Sequence, residues 1–464
     1  MSPDERAGMH ATTPQTAALR EKIFDYARER MAFDPVPLDR PRAPEQLWQA
    51  AGATVTEHGL GGTAALELFG KVLAPATIST DHPNYLSFIP CAPTEAASMF
   101  DLVVSASSIY GGSWMEGAGA VYAENQVLAW LAAEVGLPET AGGVFVQGGT
   151  LGNLSALVTA REAAKNALNQ AGKPLPKRFA IICSAEAHSS LKAAARVMDI
   201  DVVLAQPDYQ GVLHGLEVQQ ALDKAEPNSV FAIIATAGTT NFGIVDDLET
   251  IGRVANEAGI WFHVDGAYGL AGILSPKTKD LFAGSHRADS FIVDPHKWLF
   301  APFDACALVY RNPNLARAAH AQHGEYLDTL TDSGDWNPSD FAYNLTRRVR
   351  GLPLWFSLAT HGVAAYRQAI TQNIELAHQI AAEIKRRPGL RLIRQPQLSV
   401  VVFEKGGWEL PQYEAWSTKL LDRGQAFVVA SSHNGKPNTR FAIVNPQTKF
   451  EDLVAILDSM DESE

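Results

Sequence analysis

Between residues 143 and 310 the chain repeats one pattern: a short apolar run, an abrupt change to small and polar residues, then a helical stretch. The runs occupy residues 143–147, 179–183, 233–236, 260–265 and 290–293. Unbroken apolar runs of this length read as strands covered on both faces, and strands separated by helical segments pair in parallel through crossovers. The repeat therefore predicts a mainly parallel sheet wrapped by helices. In such sheets ligands bind beyond the carboxyl ends of the strands, where the small and polar residues fall here.

Five strand ends carry unusual chemistry. The last run leads into Asp294-Pro295-His296-Lys297-Trp298, which places one primary amine at the end of a buried strand. A lysine after a strand is ordinarily a solvated charge, but a desolvated one favours its neutral, nucleophilic form and suits Schiff-base chemistry. The run before it ends in Val264-Asp265-Gly266-Ala267-Tyr268. Alone, Asp265 could cap a helix or a turn; beside a Schiff-base lysine it can hold a proton on a pyridine nitrogen, the acid partner that pyridoxal phosphate uses. Ala267 lets a flat ring approach closely. Gly148-Gly149-Thr150 leads from a strand into a helix whose first N–H groups can bind an anion, and its glycine spacing is neither a Walker motif nor a dinucleotide fingerprint. His188 follows the 179–183 run, where an imidazole can stack on a pyridine face, although a lone histidine is more often structural. Thr239 and Thr240 close the fifth set.

Taken in order, Gly148-Gly149-Thr150, Ala187-His188-Ser189-Ser190, Gly238-Thr239-Thr240, Val264 to Tyr268 and Pro295-His296-Lys297-Trp298 resemble the pyridoxal-phosphate-dependent group II amino acid decarboxylases. That family includes aromatic amino acid, histidine and glutamate decarboxylases. The likeness runs from about Pro83 to Gly362, with a weaker echo at residues 440–446. It implies a fold type I enzyme: a mainly parallel seven-stranded sheet flanked by helices, residues 1–80 as an N-terminal helical segment, 81–365 as the cofactor-binding domain and 366–464 as a small α/β domain. It also implies roles. Lys297 carries the cofactor, Asp265 pairs with the ring nitrogen, His188 stacks on the ring and Ala267 packs beneath it. Gly149, Thr150 and His296 hold the phosphate, and Thr240 lies near the ring. Phe88, Ile89, Pro90, Cys91, Tyr110 and Gly112 would wall the side-chain pocket, which suggests an aromatic or bulky L-amino acid as substrate. Gly112 falls where aromatic decarboxylases carry a bulky ring. Asp294 falls where several relatives have asparagine, and is expected to point away from the phosphate. The family likeness favours decarboxylation to the amine and carbon dioxide in a homodimer. An aldehyde synthase, aminotransferase or carbon–carbon lyase of the same fold remains the alternative.

The net charge of −13 argues against a general nucleic-acid or anionic-membrane binder. Cys91, Cys183 and Cys306 are widely spaced and odd in number, which suggests a reducing, cytoplasmic setting without disulfides. His263 and Asp265 could hold a metal from one strand face, but no further ligands support it. No apolar run approaches the ~20 residues that span a bilayer, and the first residues carry no secretory pattern. Helices are expected within 15–75, over 118–135 and from 352 to about 385; short strands are expected at 398–403 and 426–429. The polar stretch from 322 to 345 reads as a loop. Relatives place a proton-donating tyrosine there, and this chain offers only the flanking Tyr326 and Tyr343.

Overall fold

The computed structural model describes residues 8–322 and 335–461. Seven strands form the main sheet: β1 (Gly142–Val146), β2 (Ala180–Ser184), β3 (Asp201–Ala205), β4 (Val230–Thr236), β5 (Trp261–Asp265), β6 (Ser290–Val293) and β7 (Cys306–Tyr310). Their order is β1-β7-β6-β5-β4-β2-β3. β3, β2, β4, β5 and β6 pair in parallel, while β7 runs antiparallel to both β6 and β1. This is the mainly parallel sheet that the run pattern predicts.

Alternation along the strands divides the core into two layers. Phe262, Val264, Phe291 and Val293 join one apolar cluster; Trp261, Ile292 and Leu308 join the other. Both faces are covered, so the central strands read as nearly continuous apolar runs, with His263, Asp265 and Ser290 among the buried polar exceptions. The helix Gly149–Gln170 crosses one face at close range. A Cβ on its Gly152 would lie 2.9 Å from both Cys306 Sγ and Ile292 Cγ2, so a larger residue would push the helix off β6 and β7.

The helix Trp114–Val135 begins at a Ser113 cap and ends at Gly136, whose φ of +84° is the left-handed stop that glycine adopts without strain. Its Glu124 meets Arg347 through two contacts of 2.8 and 2.9 Å, with the side chains only 3% and 4% exposed. Glu124 also accepts the Gly351 N–H, and Arg347 also donates to the Gly111 carbonyl. Removing one partner strands a buried charge, so Glu124→Ala is expected to cost about 3–5 kcal/mol of stability by denaturant titration. A loss below about 1 kcal/mol would show that the pair does not anchor this region.

The C-terminal part builds a second, antiparallel sheet in the order β10-β11-β9-β8, from β8 (Leu390–Leu392), β9 (Val400–Lys405), β10 (Ala430–His433) and β11 (Lys436–Ala442). Ile380 and Ile384 of the helix Leu352–Arg386 pack with Phe403, Trp416 and Phe441 against it. That helix runs through residue 365, with a kink at Gly362. The strand expected at 426–429 forms later, at Ala430–His433. Residues 426–429 are diverted because Phe427 exchanges backbone hydrogen bonds with Asn84 and Leu86, making an isolated bridge in place of a ladder. In the 322–345 stretch, Trp336 stacks on Phe341 at 4.2 Å and covers Gly142 of β1, so this part is packed structure. Tyr326 lies outside the described residues. Among the described residues no helix is long and apolar enough to cross a membrane, and no cluster of three or more His, Cys, Asp or Glu could hold a metal ion. The three cysteines are free and buried.

Candidate active site

The carboxyl ends of β1, β2, β4, β5 and β6 converge on a cavity of about 280 Å³. It is lined by Gly149, Thr150, His188, Thr240, Asp265, Ala267, His296 and Lys297, so all eight residues read from the strand ends share one space.

Lys297 is held by its neighbours. Trp298 is fully buried, stacks on Tyr268 with ring centres 5.3 Å apart and donates its indole N–H to Asn373 at 3.0 Å. The Tyr268 hydroxyl is tied in turn to Ser399. With Trp298 locked in the core, the preceding residue projects into the cavity. The Lys297 ammonium lies 2.9 Å from Asp294 Oδ2. Burial alone would lower the Lys297 pKa, but the Asp294 carboxylate, with Asp265 further away, carries it above the ordinary lysine value. This corrects two expectations. Asp294 faces the lysine within the cavity, and the amine is held in its charged form. Burial lowers the His296 pKa, with the Lys297 charge adding to the effect, so its imidazole is neutral at neutral pH; its Nδ1 lies 2.7 Å from the Ala305 carbonyl.

Asp265 ends β5 and is almost fully buried. The Ala267 N–H donates to Oδ1 at 3.2 Å and the Asn153 side-chain amide donates to Oδ2 at 2.9 Å. Two donors at fixed positions set the plane of the carboxylate. His188 caps the helix Ser189–Met198, with Nδ1 accepting the Ser190 N–H at 3.2 Å. At the start of the helix Gly149–Gln170, Leu151 and Gly152 donate to the Gly148 carbonyl, while among the described residues none accepts from the N–H groups of Gly149 or Thr150. A Cβ on Gly149 would lie 3.2–3.3 Å from Ala267 Cβ, Asp294 Oδ2 and Ile292 Cδ1. Glycine thus keeps the floor of the cavity open.

Asn153, Ser190, Thr236, Asp294 and Asp304 also line the cavity and were not among the expected site residues. Asn153 follows Gly149 by four residues, one helical turn on the same face, which is the signal that could have found it.

The six residues expected to wall a substrate pocket do not line this cavity within the single chain. Phe88 is 57% exposed and packs near Phe427. Ile89 is half-buried and Pro90 buried. Cys91 is buried, its thiol directed at the Ala301 carbonyl and its pKa pushed up to about 12 by burial. The Tyr110 hydroxyl donates to the Leu345 carbonyl at 3.3 Å, and a Cβ on Gly112 would overlap that hydroxyl. Tyr343 is 70% exposed and does not line the cavity.

Residues 44–405 match the family model described as the pyridoxal-dependent decarboxylase conserved domain. The chain is 30% identical over 418 residues to an aromatic-L-amino-acid decarboxylase of Bacillus atrophaeus, covering 87% of this chain and 86% of that protein. It is 28% identical over 439 residues to an L-2,4-diaminobutyrate decarboxylase of Acinetobacter baumannii, covering 89% and 86%. Its fold matches that of Oryza sativa TDC, solved with PLP and tryptamine, with a TM-score of 0.88 at 22% identity over 98% of this chain and 99% of that one.

Proposed function

The chain belongs to the pyridoxal-dependent decarboxylase family, and from that premise we propose that it removes the α-carboxylate of an aromatic or otherwise bulky L-amino acid, releasing the amine and carbon dioxide. The coarser statement stands without the substrate: the protein is a pyridoxal-phosphate-dependent amino acid carboxy-lyase. One observation carries the site assignment, the meeting of Lys297, Asp265 and His188 in one cavity beside a glycine-opened helix start.

The donor set fits the cofactor. Gly149 and Thr150 offer first-turn N–H groups and a hydroxyl for a phosphate, with the neutral His296 imidazole beside them. The Asp265 carboxylate and the Lys297 amine line the same cavity. When bound, pyridoxal phosphate supplies an electron sink for the pair left on Cα as carbon dioxide departs. Asp265, fixed by Asn153 and Ala267, would hold a proton on the ring nitrogen. Lys297 would attach the cofactor and give way to the substrate amine. Its charge must be relieved first, and Asp294 Oδ2 is the acceptor already 2.9 Å away. His188 would cover one ring face and exclude water from it.

The bulky-substrate reading rests on the likeness to the Bacillus enzyme and on the apolar character of Phe88, Ile89, Pro90 and Tyr110. Those residues would complete a pocket in a homodimer. Large apolar side chains stand exposed in the first part of the chain, among them Phe24, Phe33, Trp48, Leu102, Val103 and Tyr122, which supports a second copy as their cover. Light scattering is expected to give twice the chain mass; a monomer that turns over at full rate would remove this reading.

The functional test is a screen of L-amino acids that records carbon dioxide, amine, aldehyde and peroxide together. The expected result is carbon dioxide matched by amine, fastest with an aromatic or bulky substrate. Aldehyde with peroxide, or a preference for acidic amino acids, would overturn the corresponding part of the proposal.

A further inference from the structure

Two side chains, Asn153 and Ser190, join Asp265 to His188. The Asn153 amide, 1% exposed, donates from Nδ2 to Asp265 Oδ2 at 2.9 Å and to Ser190 Oγ at 3.0 Å, and its Oδ1 lies 2.9 Å from His263 Nε2. We propose that Asn153, oriented by His263, is a positioning residue that sets both the carboxylate of Asp265 and, through Ser190, the tautomer of His188. The inference rests on the placement of those two residues at the cofactor ring given above.

The order of hydrogens is fixed by the two ends of the chain. Trp261 Nε1 can only donate, and it meets Ser290 Oγ at 2.8 Å. At the other end Asn153 turns Oδ1 to His263 Nε2, which must donate, so Nδ1 is the acceptor and takes the Ser290 hydroxyl hydrogen from 2.8 Å. His263 is completely buried, and burial pushes its pKa down to about 4, so at neutral pH it keeps one hydrogen, on Nε2, which faces Asn153 Oδ1. At the far end a carboxylate can only accept. A flipped Asn153 amide would turn its oxygen toward Asp265 and its N–H toward an N–H of His263, so both neighbours enforce one orientation.

The branch toward His188 follows the same logic. Ser190 Oγ accepts from Asn153 and is 2.9 Å from His188 Nδ1, which also receives the Ser190 backbone N–H. Two donors aimed at Nδ1 leave it as an acceptor and place the imidazole hydrogen on Nε2. Trp261, His263 and Asp265 alternate on one face of β5, which is why a single strand can carry both the acid and the group that orients it. His263 thus has a structural use without any metal.

The test compares holoenzymes carrying Asn153→Ala, His263→Phe, His263→Gln and Ser190→Ala. Tyr268, Asp294, His296, Lys297 and Asp304, the other charged or titratable groups lining the cavity, stay unchanged throughout. Asn153→Ala and His263→Phe are expected to move the pH midpoint of the bound cofactor's visible band by about one unit, the size of one lost hydrogen bond to a charged group. They should lower kcat about tenfold or more with KM within about threefold. His263→Gln keeps an N–H donor of similar reach and should restore both readings toward wild type. Ser190→Ala removes the His188 branch but leaves the Asn153 bonds to Asp265 and His263 in place, so it should lower kcat with a smaller shift of the midpoint than Asn153→Ala gives. Variants that melt lower but keep the wild-type midpoint and kcat would overturn the positioning role and leave the residues merely structural. A wild-type protein with no visible cofactor band would overturn the site assignment beneath it.

Discussion

Lys297→Ala is expected to lose at least about a thousandfold in kcat while still taking up pyridoxal phosphate, because removal of a covalent nucleophile disables every step that depends on it. Among the residues lining the cavity Lys297 is the one lysine, so no neighbouring amine can substitute for it. In the proposed phosphate seat, Gly149 and Thr150 belong to another helix while His296 precedes Lys297 on the short helix Pro295–Trp298, so most of the seat survives the substitution and should retain the cofactor without a covalent bond. The substitution also removes the partner of Asp294, which is 2% exposed and has one oxygen with no hydrogen bond. A carboxylate left this way is costly, so the variant should also melt lower, or Asp294 should take up a proton. Equilibrium dialysis with the cofactor and a carbon dioxide assay separate the two effects. Near-normal turnover would remove Lys297 from the chemistry. Complete loss of cofactor binding would show that the phosphate seat does not act independently.

Asp265→Asn should be nearly as damaging to rate, by about a hundred- to ten-thousandfold in kcat, the range associated with a positioned proton-holding group. An amide has nearly the same shape as the carboxylate and keeps an oxygen to accept from Asn153 or Ala267. It carries no negative charge with which to hold a proton on the ring nitrogen. Folding should therefore survive: the melting temperature should stay closer to wild type than that of Asp265→Ala, which leaves two buried donors unsatisfied at about 1–3 kcal/mol each. Equal loss of stability in both variants with little loss of rate would assign Asp265 a purely structural part.

The sheet and the cofactor end of the site were legible because their signals are local. An unbroken apolar run marks a doubly covered strand, and the residue that follows it falls at the carboxyl edge; Asp265, Thr240 and Lys297 could be placed that way. Contacts made across elements left weaker traces. Asn153 lies one turn into the helix Gly149–Gln170 and acquires its use only when β5 and the Ser190 helix pack against it. The ion pair of Asp294 with Lys297 depends on side-chain direction within a tight turn, which spacing does not report, and it reverses the expected charge state of the amine. Residues 426–429 have β-strand composition, but Phe427 bridges to Tyr85 and its neighbours in place of a ladder. The wall residues from Phe88 to Gly112 lie away from the cavity in one chain, and no local pattern tells a pocket wall from a packing surface.

The most direct measurement is reduction of the cofactor-loaded protein with borohydride, followed by digestion and mass analysis of the peptides. A lysine joined to the vitamin's aldehyde carbon becomes permanently tagged, and the tag is predicted on the peptide containing Lys297 and on no other. A tag on a different lysine, or a fully loaded protein that yields none, would contradict the account.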